Sequence, residues 1–401
     1  MADKFCAYCG LDKPDEEFSL EHIWPDALGG DFLEDFWKSD EICQKCNSMS
    51  GVFVDGAFIK SWMGASERAH GAREYLSLSS PTKGAFPLQY MGILSDFETQ
   101  LGEVVEFWIG PCGEQILHFR SADKEALWAS YVGGDPRKGS KKSRWGRAYI
   151  LLRSEDQFWT SVALASFKHH FKGARYLANA KVPKGWTAFE DPDPNDPVQG
   201  DDLKVIKAFI EKTNKREDIK ASFSVPYDLG SRFLAKLALS IGYKLLGRPF
   251  LETEYGQQLR FAFREADATK RKSSEIRGTG YLQPSPMEKI AEQLAWSGAW
   301  VLLVIAVDEA LFLSVVTPIG KIMTILISND AALVVGLDEK VRDGIVWLSI
   351  PALGEAVGPL SLPEYLAHQT KMKVLPALEA IEAKRIDPAT LPPRRIQGEE
   401  E

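Results

Sequence analysis

Four of the five cysteines lie within the first 46 residues and have the spacing of metal ligands. Cys6 and Cys9 form one C-x2-C pair, and Cys43 and Cys46 form a second pair after 33 intervening residues. A disulfide scaffold distributes its cysteines through a small secreted chain, whereas two such pairs in a large chain without an apolar export signal are typical of tetrahedral zinc. We therefore predict that these four cysteines bind a structural zinc ion. The alternative is a set of chance cysteines or a redox pair.

Three further polar residues close to these pairs could carry out catalysis. Glu21 and His22 are adjacent in a predicted short strand, Ser19–Trp24, and Asn47 directly follows the second cysteine pair. A predicted helix runs from Gln44 to about Trp62. Zinc would hold the start of this helix against the strand, so that a carboxylate, an imidazole and an amide oxygen converge. Such a group could bind a divalent metal ion and activate a water molecule.

The order of these motifs resembles that of the HNH endonuclease family, which has a ββα-metal fold. The resemblance covers about Phe5–Trp62 and is carried by C-x2-C, E-H-I-x-P followed by Gly-Gly, and C-x2-C-N. It implies that His22 is the general base that takes a proton from the attacking water. It also implies that Glu21 and Asn47 bind a catalytic Mg²⁺ or Mn²⁺ ion. The expected products carry a 5′-phosphate and a 3′-hydroxyl.

Two positions depart from the usual pattern of the family. The family usually has an Asn about five residues before the third cysteine, where this chain has Phe36-Trp37-Lys38-Ser39-Asp40. Asp40 or Ser39 could substitute for it. The last motif position is Asn47 rather than His, which indicates a subtype. Asp55, eight residues further on, is either an additional ligand on the same helical face or a solvated residue, and we favour the solvated position.

Charge is unevenly distributed along the chain. The net charge is −8, and the first 75 residues alone carry 15 acidic and 7 basic residues. Acidic residues attract metal ions but repel phosphate, so affinity for a nucleic acid must come from elsewhere. The best candidate is Arg137–Arg147, with six cations in eleven residues. Within it, we expect the following residues to contact nucleic acid: Lys141, Lys142, Arg144, Trp145 and Arg147. The alternative is a solvated charged surface.

The rest of the chain has the pattern of an α+β protein. Strands are predicted at 104–109 and 148–152, and helices at 157–177, 202–213 and 231–246. Arg232 and Lys236 lie four residues apart on one side of the last of these, which we interpret as a core helix. A helix is also predicted near Glu364–Ala383. Five β-rich runs at 299–307, 311–316, 322–328, 332–335 and 345–349 indicate a mainly antiparallel sheet near the C-terminus.

These patterns predict an α+β fold in five segments. A small zinc-bound ββα-metal nuclease domain occupies residues 1–75, followed by an α+β region of unknown role at 76–188. An acidic, proline-rich linker at 189–200 leads to a mixed α/β domain at 201–385, for sensing or DNA binding. Residues 386–401 form a flexible tail. The longest apolar stretch is nine residues, Ala299–Val307, against about 20 needed to cross a bilayer, so we expect a cytoplasmic protein without membrane contact.

Taken together, these features predict a metal-dependent endonuclease that cleaves nucleic acid, and we favour double-stranded DNA as its substrate. The large remainder suggests regulation by a small-molecule or protein trigger, as in a bacterial antiviral defence effector. Because an HNH site makes one cut, double-strand breaks would favour a homodimer. The alternative from another functional class is a non-catalytic, zinc-dependent module that binds nucleic acid or another protein.

Overall fold

A computed structural model describes residues 3–75, 87–111, 113–122, 146–152, 156–171, 175–178, 191–222, 228–281, 283 and 288–387. Their contacts form two compact units. In the first unit, the residues up to Ile59 pack with Glu74, Tyr75 and the residues from 228 to Arg385. The second unit contains Lys60–Arg73 and the described residues between 87 and 222. Contacts therefore group the chain differently from the five predicted segments, whose independence as domains stays a prediction.

The N-terminal part of the first unit has the predicted ββα order. Its strands are β1 (Asp3–Cys6), β2 (Leu11–Pro14), β3 (Phe18–His22) and β4 (Lys38–Cys43), and its helices are α1 (Gln44–Ser50) and α2 (Gly56–Ile59). The antiparallel pairs are β1 with β2 and β3 with β4. A π-helical turn, Gly51–Asp55, joins α1 to α2. Such turns are frequent at functional sites.

The second unit is a six-stranded sheet with a helix on each face. After α3 (Trp62–Glu74), its elements are β5 (Gln89–Leu94), β6 (Glu103–Ile109), β7 (Gln115–Ser121), β8 (Arg147–Leu151), α4 (Gln157–His170), β9 (Arg175–Leu177), α5 (Pro197–Asn214) and β10 (Ala221–Ser222). The strand order is β10-β5-β6-β7-β8-β9, and only β8 and β9 are parallel. Alternate residues of the strands face α4 on one side and α5 on the other, which gives two separate apolar cores.

The C-terminal part of the first unit contains the predicted antiparallel sheet. Its elements are α6 (Asp228–Leu246), α7 (Arg248–Glu252), α8 (Glu254–Arg264), α9 (Ala268–Arg271), β11 (Gly278–Thr279), α10 (Glu288–Leu294), β12 (Trp300–Val307), β13 (Ala310–Val316), β14 (Ile322–Ser328), α11 (Ala331–Val335), α12 (Glu339–Asp343), β15 (Ile345–Ile350), β16 (Glu355–Ser361), α13 (Leu362–Gln369) and α14 (Pro376–Glu382). The strand order is β11-β14-β13-β12-β15-β16. One face of this sheet packs on α10, α13 and α14.

The other face of this sheet packs against the ββα motif through aromatic side chains. Trp24 lies with its ring centroid 5.5 Å from that of Trp300 and 5.8 Å from that of Phe233 in α6. Phe233 also stacks on Phe58 at 4.2 Å, and Trp37 meets Trp347 at 5.3 Å. All six of these aromatic side chains are buried: Trp24, Trp37, Phe58, Phe233, Trp300 and Trp347. The ββα motif therefore shares its hydrophobic core with residues more than 170 positions away.

Several local features differ from the sequence expectations. The helix predicted at 157–177 ends at His170 and is followed by strand β9, and the helix predicted near 364–383 is two helices, α13 and α14. Residues 332–335 belong to helix α11 rather than to a strand, because the Asp330 side chain accepts hydrogen bonds from the backbone N–H groups of Ala332 and Leu333 and caps the helix. Helix α5 begins at Pro197, inside the predicted linker, where Asp196 is the N-cap and proline is favourable in the first turn. Within the described residues, no helix combines the length and apolarity needed to span a membrane.

Candidate active site

The four N-terminal cysteines meet at one point between the two strand pairs. Cys6 and Cys9 lie at the turn after β1, whereas Cys43 ends β4 and Cys46 lies in the first turn of α1. Their sulfur atoms are all within 4.8 Å of one another. The backbone N–H of Cys43 donates to Cys6 Sγ at 3.3 Å, as it would to a thiolate. Hydrogen bonding, above all from the Cys46 side chain, lowers the pKa of Cys6 to about 4. This donor set fits tetrahedral zinc, as the sequence predicted.

His22 ends β3 and lies partly open to solvent, with 26% of its side chain exposed. Its Nε2 atom is 2.7 Å from Oδ1 of Asp31, a residue that the sequence analysis did not select. A carboxylate at Nε2 fixes the ring orientation and favours the tautomer in which Nε2 carries the proton. Nδ1 is then the ring nitrogen available to accept a proton.

The loop that delivers Asp31 depends on two glycines. Gly29 has φ of +93°, a conformation that favours glycine, and a Cβ on Gly30 would lie 1.8 Å from the Trp24 carbonyl oxygen. The Trp24 indole N–H donates to the Leu28 carbonyl and closes the same loop. The Gly-Gly pair after E-H-I-x-P therefore allows the chain to turn back on the strand end, so that Asp31 reaches His22.

Glu21 points to the opposite side of β3 and is only 2% exposed. Its Oε1 atom accepts a hydrogen bond from the Tyr8 hydroxyl at 3.1 Å and lies 2.8 Å from Nζ of Lys236 in α6. The other carboxylate oxygen, Oε2, has no hydrogen-bond partner in the described part of the chain. It is the Glu21 atom that could bind a metal ion.

Asn47 lies in α1, directly beside β3. Its Nδ2 atom donates to Ser19 Oγ at 3.0 Å and to the Leu20 carbonyl at 2.9 Å. These bonds tie the helix to the residue that precedes Glu21 and leave the amide oxygen of Asn47 as the remaining acceptor. A carboxylate and an amide oxygen suit Mg²⁺ or Mn²⁺, so the donor types fit the ion that the sequence analysis expected.

The positions considered as substitutes for the missing family Asn are engaged elsewhere. The Asp40 carboxylate binds Lys4 at 2.7 Å and is largely exposed, and the Ser39 hydroxyl accepts from the backbone N–H of Glu41. Within the described residues, neither side chain is hydrogen-bonded to His22.

Asp55 is buried, contrary to the solvated position favoured from sequence. It is 7% exposed, and its Oδ2 atom accepts a hydrogen bond from Lys236 at 3.0 Å. The π-helical turn between α1 and α2 ends at Asp55 and directs this carboxylate toward α6. Asp55 and Glu21 thus share one lysine.

We expect the pH dependence of stability to report on Asp55. Burial raises the pKa of Asp55 to about 6, against the attraction of Lys236 and with the repulsion of Glu21. Because this pKa lies above that of the unfolded chain, stability from Asp55 is present below about pH 4 and is lost as the pH rises through about 6. The free energy of unfolding of Asp55→Asn, relative to wild type, should therefore increase over this range and then stay constant.

Urea unfolding at a series of pH values measures this difference. Asp40→Asn is the matched control, because a hydrogen bond from Lys4 lowers the pKa of Asp40 and gives it the opposite pH dependence. A difference between Asp55→Asn and wild type that does not change with pH would contradict the assignment.

The basic segment expected to contact nucleic acid is described only at its end. Lys141, Lys142, Arg144 and Trp145 lie outside the described residues. Arg147, in β8, donates to the carboxylates of Glu103 and Asp202 and is 17% exposed. Its charge is already balanced by two acids, so the geometry gives no support to a phosphate contact by Arg147.

The described residues thus combine a ββα motif, a tetracysteine cluster that fits zinc and a partly exposed histidine held by a carboxylate. The family model described as HNH endonuclease matches residues 6–63. This stretch includes the four cysteines, Glu21, His22, Asp31, Asn47 and Asp55, but not Lys236. No curated protein and no solved structure matches the chain. The match links the N-terminal part to nuclease or nucleic-acid-related function and confirms, for residues 6–63, the resemblance found in the sequence.

Proposed function

We propose that this protein is a metal-dependent endonuclease that hydrolyses phosphodiester bonds in nucleic acid, most readily double-stranded DNA. The observation that carries the proposal is the pairing of His22 Nε2 with Asp31 at 2.7 Å. This pairing is the arrangement that a general base requires, because one ring nitrogen is held and the other is left to accept a proton.

Each residue has a separate part in the proposed reaction. His22 Nδ1 takes the proton of the attacking water, and Asp31 orients the ring and stabilises the imidazolium that forms. Glu21 Oε2 and the Asn47 amide oxygen would hold Mg²⁺ or Mn²⁺. When bound, the ion supplies charge stabilisation for the phosphate and the leaving 3′ oxygen. The four cysteines would hold zinc in a structural site with no open position. The products would carry a 5′-phosphate and a 3′-hydroxyl.

The substrate is tested with end-labelled single-stranded DNA, double-stranded DNA and RNA, each incubated with the full chain and Mg²⁺ or Mn²⁺. We expect cleavage of double-stranded DNA to be fastest, and none with the metal chelated. Binding without cleavage of any substrate would favour the alternative, a zinc-dependent binding module.

A substitution at Asp31 tests the orientation of the base. We expect Asp31→Asn to lower kcat roughly 10- to 100-fold, a part of the 10²- to 10⁴-fold that a general base typically contributes. The Mn²⁺ concentration for half-maximal rate should stay unchanged, because Asp31 does not contact the proposed metal ligands. Asp35→Asn is the matched control, since Asp35 lies in the next turn of the same loop and its carboxylate is exposed. Equal rates for wild type and Asp31→Asn would remove Asp31 from the mechanism.

We also propose that the remainder of the chain regulates cleavage, as in a bacterial defence effector. The proposed chemistry uses residues from the first 63 positions, while the described part of the chain continues to residue 387. Phage plating on cells that express wild type or His22→Ala tests this role. Equal plating efficiency would argue against it. Sedimentation equilibrium gives the mass of the complex with a short duplex, and two chains per duplex would reveal the homodimer that double-strand cleavage favours.

A further inference from the structure

Lys236 is a fully buried cation that joins α6 to the residues of the candidate active site. Its side chain is 0% exposed. Its Nζ atom donates to the carbonyl oxygens of His22 at 3.1 Å and Ile23 at 2.9 Å, and to Asp55 Oδ2 at 3.0 Å. Glu21 Oε1 lies 2.8 Å from the same atom. One ammonium group thus contacts two carboxylates and two backbone carbonyls.

These contacts fix the two residues on which the proposed chemistry depends. The carbonyls of His22 and Ile23 lie where the chain leaves β3, so the ammonium holds the backbone from which the His22 side chain projects. At the same time it engages Oε1 of Glu21, together with the Tyr8 hydroxyl. Holding one carboxylate oxygen also fixes the orientation of the other, Oε2, which is the oxygen left for the proposed metal ion.

A second layer of contacts holds the lysine itself in place. The Tyr8 hydroxyl lies 2.9 Å from Ser240 Oγ, which donates to the Lys236 carbonyl one turn earlier in α6. Four residues before Lys236, Arg232 donates to the carbonyls of Phe263 and Phe53 and ties α6 to α8 and to the π-helical turn. The ammonium therefore has a defined position rather than that of a mobile surface group.

We propose that Lys236 is a positioning residue of the nuclease site, which orients Glu21 and His22 from a helix outside the ββα motif. This inference rests on the proposed function. An unpaired buried charge is costly, so the two carboxylates need a cation, and Lys236 supplies one that cannot diffuse away. Partners of this kind behind a metal ligand typically change metal affinity or activity by 10- to 100-fold when they are removed.

The test separates positioning from a purely structural role and from inhibition. Lys236→Met keeps the apolar stem but leaves Glu21 and Asp55 without their cation, so this variant could fail to fold. The double variant Lys236→Met/Asp55→Asn removes one of the two charges and keeps Glu21 intact. Lys244→Met is the matched control, because Lys244 lies two turns further along α6 and binds the carbonyls of Asp35 and Lys38 but no carboxylate of the site.

Three properties of the full chain are measured for each variant: thermal unfolding with zinc content, Mn²⁺ binding by calorimetry, and kcat for plasmid nicking as a function of Mn²⁺ concentration. For the double variant we expect bound zinc and cooperative unfolding, Mn²⁺ affinity at least 10-fold weaker, and kcat reduced by 10- to 100-fold. Lys244→Met should match wild type in Mn²⁺ affinity and kcat.

Mn²⁺ affinity and kcat of the double variant within two-fold of wild type would overturn the proposal and make Lys236 a structural residue. Tighter Mn²⁺ binding with faster cleavage would also overturn it, because Lys236 would then compete with the metal ion. If neither Lys236 variant folds, Tyr8→Phe removes the other hydrogen bond to Glu21 Oε1. Unchanged Mn²⁺ affinity of Tyr8→Phe would then overturn the proposal. Failure of wild type to nick DNA, or equal nicking by His22→Ala, would instead refute the proposed function, and this inference with it.

Discussion

Replacement of His22 by alanine is expected to lower kcat for metal-dependent cleavage by about 10²- to 10⁴-fold, the usual contribution of a general base. The loss should fall on kcat rather than on KM, since His22 acts on the attacking water and not on substrate binding. Stability should change little, because His22 is partly exposed and, among the described residues, its side chain forms an ion pair with the half-exposed Asp31 alone.

This prediction is measured by nicking of supercoiled plasmid under saturating Mn²⁺, with zinc content and melting temperature recorded for the same samples. His368→Ala is a suitable control, because His368 lies in α13, outside the ββα motif. If His22→Ala keeps its zinc and its melting temperature, a lower kcat reflects loss of the general base and not loss of the fold. Undiminished cleavage by a folded His22→Ala variant would contradict the assignment of His22 as the general base.

The second large effect is expected at the zinc cluster. Cys46→Ser removes one of four sulfur ligands and should abolish stable zinc binding at micromolar protein. Structural zinc in small folded motifs contributes about 10–16 kcal/mol of apparent binding free energy, which is as large as the about 5–15 kcal/mol of a typical domain's stability. Cys46 lies in the first turn of α1 and Cys6 ends β1. Loss of the zinc ion should therefore release the start of the helix from the strands and lower the melting temperature of the whole first unit.

Metal analysis and differential scanning calorimetry measure this effect, with one zinc per chain expected for wild type. Cys112→Ser is the control, since Cys112 belongs to neither C-x2-C pair. A Cys46→Ser variant that still binds one zinc with wild-type affinity would contradict the tetracysteine site. Loss of zinc without loss of stability would show that the shared aromatic core, not the metal ion, holds the motif together.

The sequence predicted those parts of the candidate site whose geometry depends on residues close together in the chain. The two C-x2-C pairs, E-H-I-x-P and the Asn after the last cysteine each specify geometry within a few residues. The spacing between them is short enough for one ββα motif. The antiparallel sheet was also predictable, because each strand of 300–350 alternates or runs apolar between turn residues.

The missed residues depend on contacts between distant parts of the chain. Lys236 is separated by 181 residues from Asp55 and by 214 from His22, so its spacing to Arg232 indicated a core helix but no partner. The burial of Glu21 and Asp55 follows from that same contact. Asp31 could have been predicted from the sequence, because it lies near His22 in the chain and directly follows the Gly-Gly turn.

The acidic residues of the first 75 positions also differ in the structure from what their count in the sequence suggests. The acidic first 75 residues suggested an open, anionic metal site. In the structure, two of those acids, Glu21 and Asp55, are buried and share the charge of Lys236. Only part of the negative charge is therefore exposed, and the repulsion of a nucleic acid by this region would be weaker than the sequence count implies.

The central claim, that residues 6–63 form a metal-dependent nuclease site, is tested most directly by metal depletion and restoration. The zinc-loaded full chain is treated with EDTA under conditions that spare zinc, and nicking of supercoiled plasmid is followed as Mn²⁺ is titrated back. The account predicts no nicking without added Mn²⁺, restored nicking with it, 5′-phosphate ends on the product, and no restoration in His22→Ala. Absence of nicking by wild type at any Mn²⁺ or Mg²⁺ concentration would contradict it.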